Sequence, residues 1–299
     1  MKIAFFGAGL MGAGFVRRAL QNGHQVNVWN RDVSKAKALE ASGARAFADA
    51  AAAIDGVDRI HLSLADDASV DSVLEPLAGV IPVSMWIVDH TTTAPTPTAA
   101  RAARWTARGK VFLHAPVFMT PANAEAGTGM MLISGDPDKC AAVMPELQKM
   151  TGRVMNLGSK PERSAAFKLF GNLTLLGLGG VIGDLVRLSH AVGVPPAEAV
   201  GMFKQFNPGE LLPARAEKIA SGPYDPPSFT VSMARKDARL MLEEAARHNI
   251  PLGVISAVAE LYDEAIARGE AAGTRQLRSA TPSPNGGSHV FLADAARDS

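Results

Sequence analysis

Cysteine is nearly absent from this 299-residue chain. Cys140 stands alone, which excludes an internal disulfide and any cysteine-built zinc cage and fits a reducing compartment. Charge of one sign is missing as well: 30 Lys and Arg oppose 29 Asp and Glu, for a formal net charge of +1. No global field therefore points to nucleic acid or to an anionic membrane as partner. Long apolar runs are also lacking. No uninterrupted stretch reaches the ~20 residues that cross a bilayer. Residues 173–182 are apolar, but Asp184 and Arg187 follow closely, and a buried helix is expected there. The apolar run up to Phe6 is too short for the core of a secretory signal. A cytoplasmic protein without membrane contact is expected. No internal repeat is evident.

Packed cores are well provided for, since 47% of the residues are hydrophobic and 20% charged. The length suggests two domains of ~150 residues each. The first half alternates. Residues 2–6 read as a buried strand, 11–22 as a helix with Phe15, Val16, Ala19 and Leu20 at helical spacing, 26–29 as a second strand and 34–42 as a second helix. Further strand candidates are 60–64, 86–89, 111–114, 130–134 and 153–157. Such alternation implies a mostly parallel sheet covered on both faces. Beyond residue 157 no comparable strand series occurs. Helical segments are expected at 163–192, 197–206, 212–220, 230–248 and 251–268, with Pro195-Pro196, Asn207-Pro208-Gly209 and Gly222-Pro223 as turns or helix starts. The expected class is α/β: an N-terminal doubly wound Rossmann sheet over 1–161, an all-helical domain over 162–275, and a loosely packed tail over 276–299.

Gly7-Ala8-Gly9-Leu10-Met11-Gly12 lies between the first strand and the first helix. Gly7 permits the tight turn, Gly9 lets the backbone approach a pyrophosphate, and Gly12 allows close helix–strand packing. The helix N-terminus then offers N–H groups to the phosphates. At the end of the second strand, an acidic residue would bind the ribose 2′-hydroxyl of NAD. Asn30-Arg31-Asp32 stands there instead. Arg31 can pair with a 2′-phosphate and stack on adenine, Lys35 can add charge, and NADP is expected over NAD, although Asp32 pulls the other way. Leu64, closing the 60–64 strand, joins the expected cofactor residues.

These residues resemble the β-hydroxyacid dehydrogenase family, which includes 3-hydroxyisobutyrate dehydrogenases and NADPH-dependent glyoxylate and succinic semialdehyde reductases. Four segments carry the resemblance: the glycine motif with Val28-Trp29-Asn30-Arg31; Asp89-His90-Thr91-Thr92-Thr93-Ala94-Pro95; His114-Ala115-Pro116-Val117 with Gly127 and Gly129; and Lys168-Leu169-Phe170-Gly171-Asn172. Phe229 to Lys236-Asp237 also matches a family pattern. The resemblance implies catalytic acid/base chemistry at Lys168, substrate contact at Thr92, and a place for Lys236 near the nicotinamide. Lys236 can equally be a solvated lysine paired with Asp237 or Glu243.

The lysine makes chemical sense on its own. Lys168 and Asn172 lie four apart on an expected helix, hence on one face. Hydride transfer at a carbonyl needs a proton for the developing alkoxide, which an ammonium can deliver while Asn172 orients the substrate. Thr91, Thr92 and Thr93 offer hydroxyls to a carboxylate, or Thr93 caps the helix before Pro95. The chain departs from the family at Phe118-Met119-Thr120, where Ser-Gly-Gly would serve a substrate carboxylate. These three residues are taken as substrate-facing, and a larger or less charged carbonyl compound is expected. His114 replaces an aspartate, and no metal site is expected.

The expected activity is NADP-dependent hydride transfer between a 3-hydroxy acid or related alcohol and its carbonyl form. The resemblance further implies a homodimer or homotetramer built through the helical domain. Two other readings stay open: an imine reductase, whose relatives share the glycine motif and Asn-Arg ending but generally lack a lysine at the position of Lys168, and a cofactor-binding module without catalysis.

Overall fold

The computed structural model describes residues 1–221, 227 and 229–273. The expected tail at 276–299 and the Gly222-Pro223 turn lie outside the described residues. The N-terminal half lays down β1 (Lys2–Phe6), α1 (Leu10–Gln21), β2 (Gln25–Trp29), α2 (Val33–Lys37), β3 (Arg45–Phe47), α3 (Ala50–Ala53) and β4 (Arg59–Leu62). It continues with α4 (Asp67–Leu74), β5 (Trp86–Asp89), α5 (Pro95–Ala107) and β6 (Val111–His114). These six strands form one sheet in the order β3-β2-β1-β4-β5-β6, every neighbouring pair parallel. This is the doubly wound order, in which the crevice for a ligand opens where the strand order reverses, between β1 and β4.

Adjacent residues along the central strands point to opposite faces. Phe5, Val88 and Leu113 enter the core on one side with Phe15 and Val16 of α1. Phe6, Ile87 and Phe112 enter the other with Trp105 and Leu74. Full burial of each such side chain contributes about 1.5–3 kcal/mol. On the second face, the fully buried guanidinium of Arg101 on α5 bonds Asp71 at 2.7 Å and Asp67 at 2.9 Å, strapping α5 to α4.

After β6 the chain adds β7 (Val117–Phe118), α6 (Pro121–Ala126), β8 (Met130–Ile133), α7 (Pro137–Gln148) and β9 (Arg153–Asn156). The strands at 130–134 and 153–157 therefore do not extend the large sheet. They form a separate mixed sheet, β7-β8-β9, with β7 antiparallel to β8. The antiparallel pair β7–β8, with α6 in the connection between its strands, opens this second sheet. The neighbouring Gly14 of α1 lets that helix approach α6: a Cβ there would stand 2.7 Å from the Pro121 carbonyl.

The remaining helices are α8 (Arg163–Ala191), α9 (Pro196–Gly201), α10 (Leu212–Ser221), α11 (Val231–Arg247) and α12 (Val254–Ala267). The chain forms two compact units, Met1–Thr174 and the residues from Leu175 onward. The division falls inside α8 rather than at 161/162, because the first turn of α8 is tied to the N-terminal unit. Ser164 donates its backbone N–H to Ser134 Oγ at 2.9 Å and meets His114 Nδ1 at 2.9 Å. In the second unit, Asp184 accepts from the backbone N–H groups of Gly253 and Ile255, each at 2.9 Å. A charge that interrupts an apolar run thus serves as the cap of α12.

The expectation of a buried helix at 173–182 is corrected. Leu173 is 73% and Leu176 77% exposed, because no described element covers this flank of α8. By length and composition alone, α8 is also the one helix among the described residues that passes for a bilayer span. Between Lys168 and Asp184, however, it holds only Leu169 to Gly183, a rise of roughly 22 Å against a hydrocarbon core of ~30 Å.

Three uncharged histidines sit in the first unit's interior. His61 Nδ1 meets His90 Nε2 at 2.9 Å, His90 Nδ1 meets the Ala115 carbonyl at 2.7 Å, and His114 faces Thr91 O and Thr93 Oγ1. Burial lowers all three, His61 well below the usual value and His90 and His114 to about 4. Burial raises Asp89 to about 6. The unfolded chain thus binds more protons at the histidines between pH 6.5 and 4, so stability falls as pH falls through that window; Asp89 acts oppositely between pH 6 and 3.8. From pH 7.5 to 5, His90 and His114 should each withdraw roughly 2 kcal/mol and Asp89 return about 1 kcal/mol. The urea midpoint is expected to drop over this range; an unchanged or rising midpoint would contradict the assignment of buried neutral histidines.

Candidate functional site

The site begins where β1 stops. Gly7 adopts φ +101°, a region that disfavours any side chain, and its N–H donates to the Trp29 carbonyl at 3.0 Å. A Cβ on Gly12 would overlap the Gly7 carbonyl, so the first turn of α1 rests directly on the strand end. Gly9 differs: a Cβ there meets nothing within 4 Å. It forms the N-cap of α1, which has no side-chain cap, so the first amides of the helix remain available to an anion.

Asn30 ties this turn to the end of β2. Its Oδ1 accepts from the Ala8 N–H and its Nδ2 donates to the Asp32 carbonyl, both at 2.9 Å. Asp32 turns inward on its own helix, accepting from the Ser34 N–H at 3.1 Å and the Ser34 hydroxyl at 2.6 Å. These bonds hold its carboxyl below the usual range. Arg31 and Lys35 border the same space, and neither forms an ion pair with any described residue.

A third wall comes from β4 and β5. The Leu64 N–H donates to Thr91 Oγ1 at 3.0 Å, and the Thr91 N–H donates to Asp89 Oδ1 at 2.9 Å. The Thr93 hydroxyl meets Thr98 Oγ1 at 2.7 Å and His114 Nε2 at 3.0 Å. Thr93 does not cap α5; Ala94 holds that position without a side-chain bond. Thr92 is exposed and keeps its hydroxyl free.

Together these parts enclose a cavity of about 940 Å³, a size suited to a cofactor. Of the residues expected from the sequence, it brings together Gly7, Gly9, Leu10, Met11, Gly12, Asn30, Arg31, Lys35, Leu64, Thr92, Met119 and Lys168. Phe118 and Thr120 do not line it. The Thr120 hydroxyl accepts from the Asn123 N–H in the capping box of α6. Asn172 follows one turn after Lys168 on α8 and is half-buried away from the lining, while Lys236 lies on α11 in the second unit, 2.8 Å from Asp237. Asp49, Ala50, Ser69, Ser72 and Pro76 complete the wall. No motif marks them in the sequence: Asp49 and Ala50 follow the three-residue β3, Ser69 and Ser72 lie on α4, and Pro76 comes just after it.

Lys168 is half-buried on α8. Its Nζ lies 4.4 Å from the centre of the Phe118 ring, and burial pushes its ammonium below the usual lysine range. No group of three or more His, Cys, Asp or Glu side chains suited to a metal occurs among the described residues. The residues present fit a dinucleotide. A glycine cradle opens onto the cavity, an uncapped helix start suits phosphates, and two unpaired cations stand at the end of β2.

Comparison with known proteins agrees. The family model for the NAD binding domain of 6-phosphogluconate dehydrogenase matches residues 2–158. The 3-sulfolactaldehyde reductase of Escherichia coli (strain K12) is 28% identical over 272 residues, covering 89% of this chain and 91% of that protein. The cytokine-like nuclear factor N-PAC of Xenopus tropicalis is also 28% identical over 272 residues, covering 88% of this chain but 50% of that longer protein. An imine reductase from Myxococcus stipitatus in complex with NADP+ shares the fold with a TM-score of 0.86 at 18% identity, over 93% of this chain and 98% of that one. With its glycine turn, parallel sheet and helical second unit, the chain belongs to the family of the 6-phosphogluconate dehydrogenase NAD-binding domain, among the β-hydroxyacid dehydrogenase-like oxidoreductases.

Proposed function

We propose that the protein catalyses reversible hydride transfer between NADP(H) and a small carbonyl compound, the reduced partner being a 3-hydroxy acid or related alcohol, with Lys168 as general acid/base. One observation carries the reading: the Lys168 ammonium borders the same cavity as the glycine turn and is half-buried without a counter-ion. The aldehyde named for the E. coli relative supports the carbonyl class. The cofactor supplies or accepts the hydride. Lys168 Nζ gives its proton to the oxygen that becomes the alcohol, and its lowered pKa lets it take that proton back in the oxidative direction. The free hydroxyl of Thr92, on the same cavity wall, holds the substrate's oxygen atoms. Met119 supplies an apolar wall that favours larger or less charged substrates.

Preference for NADP rests on Arg31 and Lys35 being unpaired while Asp32 is engaged by Ser34. The exposed apolar flank of α8 supports assembly into a homodimer or homotetramer, in which a second copy removes that surface from water.

In NADPH-coupled assays over small aldehydes and keto acids, Lys168→Ala should reduce turnover ~100-fold or more with cofactor affinity nearly intact. The reductive kcat/KM should fall as pH rises through the lysine's pKa, since only the ammonium can donate. Near-native turnover of Lys168→Ala would move the acid elsewhere, and cofactor binding without turnover of any substrate by the native chain would favour a binding module. For the cofactor, Arg31→Asp should weaken NADPH by ~1.5–3 kcal/mol, the worth of a charge-assisted bond, and NADH far less. Equal losses in a binding titration would remove the phosphate reading. For assembly, Leu173→Glu with Leu176→Glu should convert a sedimenting dimer or tetramer to monomer. A native chain that sediments as monomer at micromolar concentration would end that proposal.

A further inference from the structure

We infer that Phe118 is a positioning residue for Lys168, seated in a notch that Gly171 leaves in α8, so that the ammonium rests on an aromatic face instead of a polar partner. The mechanistic meaning of this contact rests on the reading of Lys168 as proton donor; the contact itself does not.

Lys168 and Gly171 are three residues apart on α8 and therefore share a face. A Cβ on Gly171 would overlap the carbons of the Phe118 ring, so the ring fills the space of the missing side chain. From there it faces Lys168 Nζ at 4.4 Å. The ring is delivered from the far side by β7, whose register is fixed by the pairs Val117↔Met131 and Phe118↔Met130. Gly129, at φ +84°, lies against this strand: a Cβ there would stand 2.8 Å from Met119 Cγ and 3.0 Å from the Phe118 carbonyl. Two glycines 42 residues apart thus hold one ring, from α8 and from the start of β8.

The electrostatics follow from the same contact. Among the described residues the Lys168 ammonium has no hydrogen-bond or ion-pair partner. Burial alone shifts its pKa; Arg31, Asp32, Lys35, Asp49 and the uncharged His90, all on the cavity wall, add no resolved shift. The negative face of an aromatic ring attracts the ammonium and not the neutral amine. Phe118 therefore acts against burial, favouring the charged form of a lysine whose pKa burial lowers. A ring engages no N–H donor in a conventional hydrogen bond. All three donors of the ammonium remain available to the cavity.

The test is an NMR titration of Lys168 in the full chain labelled with [13Cε]lysine, its resonance assigned by loss in Lys168→Arg. Phe118→Leu keeps most of the bulk but removes the aromatic face. It should lower the Lys168 pKa by about 0.5–1 unit. Incorporation of 3,5-difluorophenylalanine at position 118, which drains the ring face with little change of shape, should shift it the same way by less. In a Gly171→Ala background the ring is displaced, and Phe118→Leu should then produce no further shift. The alkaline limb of the reductive kcat/KM profile should move with the NMR value. An unchanged or raised pKa in Phe118→Leu and in the fluorinated chain would overturn the inference, as would an equal Phe118→Leu shift with and without Gly171→Ala. NMR shifts as expected in a protein whose Lys168→Ala variant keeps full turnover would leave the contact standing and remove the proton-donor reading instead.

Discussion

The site depends on a place where no side chain intervenes. At the end of β1 the chain turns through Gly7 and starts α1 so closely that a methyl group on Gly12 would overlap the Gly7 carbonyl. Backbone touches backbone, and the separation of strand and helix is fixed by van der Waals contact alone. The other walls are referred to this turn. Gly7 donates to Trp29, Ala8 to Asn30, and the Ser63 carbonyl closes over Gly7 from β4. The floor of the cavity is consequently built from groups that cannot change rotamer.

Around that floor, most polar groups are engaged within the protein. Thr91 joins β4 to Asp89, Thr93 joins Thr98 to His114, Thr120 caps α6, and Asp32 is engaged by Ser34. The side chains of Thr92, Ser63, Arg31, Lys35 and Lys168 are among those on the wall that form no hydrogen bond or ion pair with described residues. A ligand entering the cavity would therefore meet few competing partners within the protein.

How much of this was legible depended on how far the deciding contact reaches along the chain. The glycine turn, the four long central strands and Lys168 with Asn172 on one helix are local patterns, and each lies where the sequence implies. β3 and β7, three and two residues long, carry no period to detect, and missing β7 concealed the second sheet. Whether Thr92 or Thr93 stays free is decided by His114, 21 residues on, and the seat of Phe118 by Gly171, 53 residues on. The face of α8 read as buried because an apolar run implies cover without saying whose; in the chain itself Leu173 and Leu176 stand in solvent.

The pair of stacked histidines has a direction. The Ala115 carbonyl can only accept, so His90 must carry its hydrogen on Nδ1, leaving Nε2 as a lone pair. His61 must then donate from Nδ1. One carbonyl on the far strand edge thereby dictates the tautomer of two rings in succession, and both arrows run from β4 toward β6. Flipping either ring would set two lone pairs or two hydrogens face to face in a dry interior. The parallel strands thus have a polarity across the sheet as well as along it, written in the placement of two hydrogens.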